Sequence, residues 1–197
     1  MRQYSIALIA ILSLACSQNE GAPSDSAATA STATPAPPDS ATSTGASAFA
    51  SGWTVTPAGI GPVRVDMSAA ELRQAAGEFT APAASEACSY VRPASLPAGV
   101  SVMLANGRTA RIDVDSTGVR TDAGISVGDS STAVLRAYAG RVTTTPHKYV
   151  PGGEYITVRS ASPTDSALRI VFESEAGRVT RYRTGRVPEV EWVERCG

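Results

Sequence analysis

Gly59-Ile60-Gly61-Pro62-Val63-Arg64-Val65-Asp66-Met67-Ser68-Ala69-Ala70-Glu71-Leu72 is the stretch on which the reading of the fold rests, because the chain writes its plan twice. Ala123-Gly124-Ile125-Ser126-Val127-Gly128-Asp129-Ser130 repeats that plan: Gly-Ile, a Val, a small or acidic turn, a Ser, then an amphipathic helix ending in Gly. Val65 aligns with Val127, and Gly107-Arg108-Thr109-Ala110-Arg111-Ile112 aligns with Gly177-Arg178-Val179-Thr180-Arg181-Tyr182. Self-similarity of this kind predicts two tandem repeats of roughly 65 residues, each a short helix followed by antiparallel strands. The boundaries expected from it are residues 52–118 for the first repeat and 119–197 for the second with its C-terminal strand.

Ser68 and Glu71 make an S-x-x-E capping box, in which each side chain satisfies a backbone N–H of the first helical turn. Leu72, Ala75 and Ala76 then supply an apolar face, and Gly77 stands where a helix ends in a left-handed residue. In the second copy Asp129 or Ser130 caps a helix whose Val134, Leu135 and Tyr138 form one face, with Gly140 at its end. Alternating apolar residues predict strands at 53–56, 88–92, 100–104, 108–115, 155–159, 168–173 and 178–184. Asn106-Gly107 is a strong hairpin signal. A last strand is expected over 187–193, with Val190 and Trp192 on one face and Pro188 suited to an edge. Few short helices and many strands make the fold class α+β.

The opening from Val65 to Leu72, followed by Gly77, resembles the G-M-T-x-x-E-V…L-G helix opening of the BamE/SmpA outer-membrane assembly lipoproteins. Two such units in tandem resemble the architecture of the β-lactamase inhibitor proteins. That resemblance implies an envelope protein that binds other proteins, and an assembly accessory as one form of it. Folds of this kind carry unrelated binding roles, so function must be argued from the site.

The N-terminus gives an address. Arg2 and the short apolar run Ile6 to Leu12 read as an export signal over residues 1–15, too short to span a bilayer. Leu12-Ser13-Leu14-Ala15-Cys16 resembles a bacterial lipobox, which implies lipidation of Cys16 and anchoring to a membrane. Ser17 after that Cys implies, by the same resemblance, the inner leaflet of an outer membrane, facing the periplasm. Residues 16–51 are rich in Ala, Ser, Thr and Pro and cannot bury enough apolar surface to offset ordering entropy, so a tether is expected. Its root-mean-square reach is ~30 Å and its full extension ~110 Å.

Composition narrows the chemistry. A net charge of -1 argues against nucleic acid, which needs a basic excess. A single histidine, His147, and three scattered cysteines leave no metal-binding pattern, and no cofactor motif is present. Asp113 and Asp115 share one strand face, where a calcium site would need six or more oxygens; a solvated face is the simpler reading. Gly128-Asp129-Ser130 resembles a Gly-Asp-Ser hydrolase nucleophile. His147 follows that Ser closely, whereas such an enzyme needs its base late in the chain beside an Asp. A hydrolase using Ser130 and His147 is therefore the lesser alternative to a non-enzymatic binding module.

With Cys16 assigned to lipid, Cys88 and Cys196 are an even pair in an oxidising compartment, and a disulfide is expected. If Ala110, Ile112 and Val114 point inward, Arg111, Asp113 and Asp115 point outward, and so do Arg181 and Arg183 in the second copy, with Tyr182 inward. Arg111, Arg181 and Arg183 with an exposed Tyr155 would then form an arginine-and-aromatic surface for a protein or envelope-component partner, or merely pair across strands. The loop carrying His147 and Tyr149 before Pro151-Gly152-Gly153 is a second binding candidate. Glu189, Glu191 and Glu194 read as a solvated strand face.

Overall fold

The computed structural model describes residues 52–80, 82–83 and 86–196. The expectations for the export signal, the lipidated Cys16 and the tether lie outside the described residues. Among the described residues ten strands and two α-helices follow one another as an α+β fold. Strands β1 (Val55–Thr56), β2 (Gly59–Ile60) and β3 (Val63–Arg64) form a small antiparallel meander. Helix α1 (Ala69–Ala76) leads to β4 (Cys88–Val91), β5 (Val100–Ala105) and β6 (Arg108–Val114). Helix α2 (Ser131–Ala137) leads to β7 (Val142–Pro146), β8 (Glu154–Arg159), β9 (Leu168–Glu175) and β10 (Arg178–Arg186). The seven strands from β4 onward make one antiparallel sheet in the order β4-β5-β6-β10-β9-β8-β7.

Local sequence explains the joints. The capping box of α1 is complete: the Ser68 hydroxyl accepts from the Glu71 amide, and the Glu71 carboxylate accepts from the Ser68 amide at 2.7 Å. Ser130, not Asp129, caps α2, its Oγ accepting from the Ala133 amide at 3.1 Å. Asp129 instead accepts from the Ser126 amide. Each helix start is stitched to a later strand in the same way, α1 to β6, the third strand after it, and α2 to β10, the fourth. The Thr109 amide donates to the Met67 carbonyl at 2.8 Å, and the Val179 amide donates to the Asp129 carbonyl at 2.9 Å. The hairpins at Asn106-Gly107 and Ala176-Gly177 hold two successive residues at positive φ, as the tight turns between right-twisting strands require. Where β6 meets β10, Gly185 faces Arg111, and a Cβ there would lie 2.4 Å from the Ala110 carbonyl oxygen. Only glycine allows that approach.

One face of the sheet carries the main core. Val100, Val102, Leu104, Ile112, Val114, Ile156, Val158, Ile170, Phe172 and Tyr182 pack beneath Leu72 and Ala76 of α1, Val134 and Tyr138 of α2, and the meander's Val55, Ile60 and Val63. Burying each of the larger side chains contributes about 1.5–3 kcal/mol. Leu135 departs from expectation and stays 43% exposed. Val134 and Tyr138 are four residues apart and share the inner face, while one further residue rotates Leu135 by about 100° toward solvent.

Two more expectations need correction. Residues 187–193 are not a strand: after a cis Val187–Pro188 bond the chain makes a 3-10 turn, Glu189–Glu191. Both sides of β10 are already taken by β6 and β9, so the tail has no place beside it in the sheet. It climbs instead onto the sheet's second face and crosses it as a strap, burying Val190 against Tyr155 and Val171. Trp192 does not share the buried side of Val190 and is 38% exposed. The strap ends at the disulfide between Cys196 and Cys88 of β4, with Cα atoms 5.5 Å apart, as expected from the cysteine count. Strand β7 was not expected, because only Val142 in Val142-Thr143-Thr144-Thr145-Pro146 is apolar and no alternation marks it.

Candidate functional site

The sheet's second face gathers most of the predicted binding residues, but not as an exposed surface. Arg111, Asp113 and Arg183 do point away from the main core, and the strap covers them, leaving Arg111 and Arg183 each 2% exposed. Tyr155, expected to be exposed, is buried as well. Side-chain alternation tells which face a residue takes, not whether another segment lies over that face.

Under the strap the charges are paired with each other and with strap carbonyls. The Arg111 guanidinium grips Asp113 with Nε at 3.0 and 3.1 Å and a terminal nitrogen at 2.5 Å. Its other nitrogen donates to the Trp192 carbonyl at 2.6 Å. The Tyr90 hydroxyl donates to the other side of Asp113 at 2.8 Å. Burial, and then the charge of Asp113, push the Tyr90 phenol well above its ordinary value. Arg183 donates through Nε to the Val190 carbonyl at 2.6 Å and pairs with Glu173. Burial, then the like charge of Arg111, draw the Arg183 guanidinium below the usual arginine value, opposed by Glu173. Glu189, expected on a solvated face, is also buried and is held by Arg186 at 3.2 Å.

Beside the strap a cleft of about 300 Å³ opens, lined by His147, Tyr149, Glu173, Arg181 and Arg195 among others. Arg181 is half-exposed and lies 3.5 Å from Glu173. Tyr149, 57% exposed, donates to Glu194 of the strap, and Lys148 reaches the same carboxylate at 3.3 Å. Those two bonds hold the Glu194 carboxyl below its ordinary value. His147 stacks on Tyr155 with ring centroids 4.3 Å apart.

The bonds of His147 define its role. Its Nδ1 accepts from the amides of Tyr149 and Val150, each at 3.1 Å. The ring proton therefore sits on Nε2, which faces Glu173 at 3.4 Å. Both nitrogens are engaged in shaping the loop, and the Ser130 hydroxyl is engaged in the α2 cap. Ser130 and His147 share no hydrogen bond among the described residues. Asp113 and Asp115 do not join in a cation site: Asp115 accepts from Arg195 at 3.0 Å. Among the described residues no group of three His, Cys, Asp or Glu side chains is placed to hold a metal ion.

Glu173, Asp113 and the strap carbonyls were missed as partners of the predicted arginines, and Tyr90 as a donor to Asp113. A signal was present. A disulfide from β4 to the chain's end forces the tail back across the sheet, over Arg111, Asp113 and Arg183. No family model, curated protein or solved structure matches this chain.

Proposed function

We propose that the chain is a non-enzymatic binding module of the cell envelope, exported by its N-terminal segment, lipidated at Cys16 and tethered by the following residues to the periplasmic face of an outer membrane. The address rests on the lipobox-like Leu14-Ala15-Cys16 and the Ala/Ser/Thr/Pro-rich stretch after it. The folded part reads as two copies of one helix-plus-strands unit, joined antiparallel through β6 and β10. The matching stitches at Met67–Thr109 and Asp129–Val179 support that reading. Among the described residues no helix is long and apolar enough to cross a membrane.

One observation favours binding over catalysis. A disulfide-pinned strap closes the middle of the second face, with the charges beneath it balanced by each other rather than aimed at a reacting atom. Beside it the face stays open along β7 and β8, and the cleft presents Arg181, Tyr149 and Arg195. The partner is a protein or another envelope component. No nucleic acid and no cofactor is part of this reading. A photo-crosslinking residue at Tyr149, introduced in the full chain in its own envelope, is expected to give a discrete adduct. Cys16→Ser should move the protein from membranes to the soluble envelope fraction. Absence of any adduct, together with unchanged fractionation, would overturn the proposal. The BamE-like helix opening favours a second reading, an accessory of outer-membrane assembly, for which the adduct would contain barrel-assembly components.

A further inference from the structure

We propose that the free edge of β7 takes an extended acidic segment of a partner protein as an additional strand of the sheet. This deepens the reading of the chain as a binding module and rests on it. Among the described residues β7 pairs on one side only, with β8. The Arg159 amide donates to the Arg141 carbonyl at 3.0 Å, and the His147 amide donates to the Gly153 carbonyl at 2.9 Å. Antiparallel pairing alternates, so Thr143, Thr145 and His147 turn their backbone groups toward β8, as does the Arg141 carbonyl, while the Arg141 amide donates to the Tyr138 carbonyl at 3.1 Å. Val142 and Thr144 therefore turn theirs outward, and Pro146 offers a carbonyl but no N–H.

Natural sheets guard such edges with charges, bulges, prolines or a covering element. β7 has only the terminal Pro146; its register with β8 is unbroken and its other residues are Val and Thr. The opposite edge is treated differently, since β4 is tied by Cys88 to the strap. β4 also pairs on one side only among the described residues, and an open edge is what strand addition by a partner uses.

The charge on the adjoining surface selects the partner. Arg159 of β8 lies directly opposite Arg169 of β9, and Arg141 continues the row to the edge. Like charges directly opposite one another on a sheet are destabilising. None of these three arginines has a carboxylate partner among the described residues. Arg159 and Arg169 line a groove of about 520 Å³ with Thr143, Thr145, Thr157 and Val171. Glu191 of the strap also lines it, without pairing to either arginine. Strands lie ~4.8 Å apart, so a Glu on an added strand beside Arg141 would also have Arg159 within reach across β7. Apolar or β-branched residues on either side of it would continue the sheet.

The test uses the full chain and a fluorescent peptide of alternating Val and Glu, with a Val/Lys peptide as the control. Binding of the acidic probe alone is expected, with slowed hydrogen exchange at the Val142 and Thr144 amides. Thr144→Pro removes an outward N–H while leaving the β7–β8 bonds intact, and should weaken binding by about tenfold. Arg159→Glu, at an exposed position, should abolish it. Equal binding by Thr144→Pro and wild type would overturn the proposal, as would equal binding of both peptides. A concentration-dependent dimer of the wild type that Thr144→Pro disperses would also overturn it, in favour of a second copy at the edge. Failure here with a persisting Tyr149 crosslink would leave the binding module standing and move its site to the cleft.

Discussion

Glu173→Ala is the substitution that best probes whether the strap closes over a desolvated charge layer. Glu173 pairs with Arg183 beneath the strap and is approached by Arg181 and His147 from the cleft. The Arg183 side chain is 2% exposed and that of Glu173 11%, so neither charge has bulk water to fall back on. Removing one member of a buried pair leaves the other uncompensated, at a cost of about 3–5 kcal/mol. The Arg181 side chain, by contrast, is 52% exposed, and Arg181→Ala should cost less than ~1 kcal/mol.

Urea unfolding at neutral pH reads both variants, provided the dependence on denaturant is unchanged between them. For a domain of this size the loss in Glu173→Ala corresponds to a melting point lower by ~6–20 °C. The double variant Glu173→Leu with Arg183→Met exchanges the pair for apolar volume and should recover most of the loss. Its shortfall should be about 1 kcal/mol, for the donated bond to the Val190 carbonyl. A single-variant loss below ~1 kcal/mol, with the two substitutions additive, would show that water reaches the pair, and the reasoning about a closed strap would be wrong.

Three further outcomes are expected. Cys88→Ser with Cys196→Ser removes a crosslink spanning 108 residues and should cost about 2–4 kcal/mol in urea unfolding, with hydrogen exchange rising first along the strap. Ala176 holds φ at 48° where its counterpart is Asn106, and a left-handed Ala costs about 1–2 kcal/mol. Ala176→Asn should therefore raise stability by roughly 0.5–1 kcal/mol, measured as a higher urea midpoint. Burial pushes the Tyr138 phenol up to about 12, and burial raises Tyr90 and Tyr182 in the same direction. A folded-state value raised above the unfolded one gives stability that is complete below pH ~10 and lost as pH climbs through the folded value. Phenolate absorbance and loss of circular dichroism should then rise together between pH ~10 and the Tyr138 value. Full ionisation near pH 10 with the fold intact would contradict the assigned burial.

How much of this was legible in the sequence depended on whether the signal was local. Ser68 with Glu71 and Ser130 before Val134 announce helix starts because a cap is settled within one turn. Asn106-Gly107 announces a hairpin for the same reason. Ile112, Val114, Ile170 and Phe172 announce an inner face because alternation has a period of two. Arg111, Asp113, Glu173 and Arg183 carry no such mark. Their burial is decided by a segment about eighty residues further along in the case of Arg111, whose partners include the Trp192 carbonyl.

The strap also explains why Arg111, Arg183 and Tyr155 do not form an exposed surface. Arginines standing on a sheet beneath an irregular segment supply the donors that such a segment lacks. Its backbone carbonyls have no strand neighbour, and a buried carbonyl left unpaired costs about as much as a lost hydrogen bond. Arg111 and Arg183 meet Trp192 and Val190 in that way, and Asp113 and Glu173 then balance the buried positive charge. The same side chains cannot serve a partner while the strap is down. In the proposed reading recognition would fall to the uncovered end of the sheet, where Arg159 and Arg169 stand without carboxylates among the described residues and β7 ends the ladder.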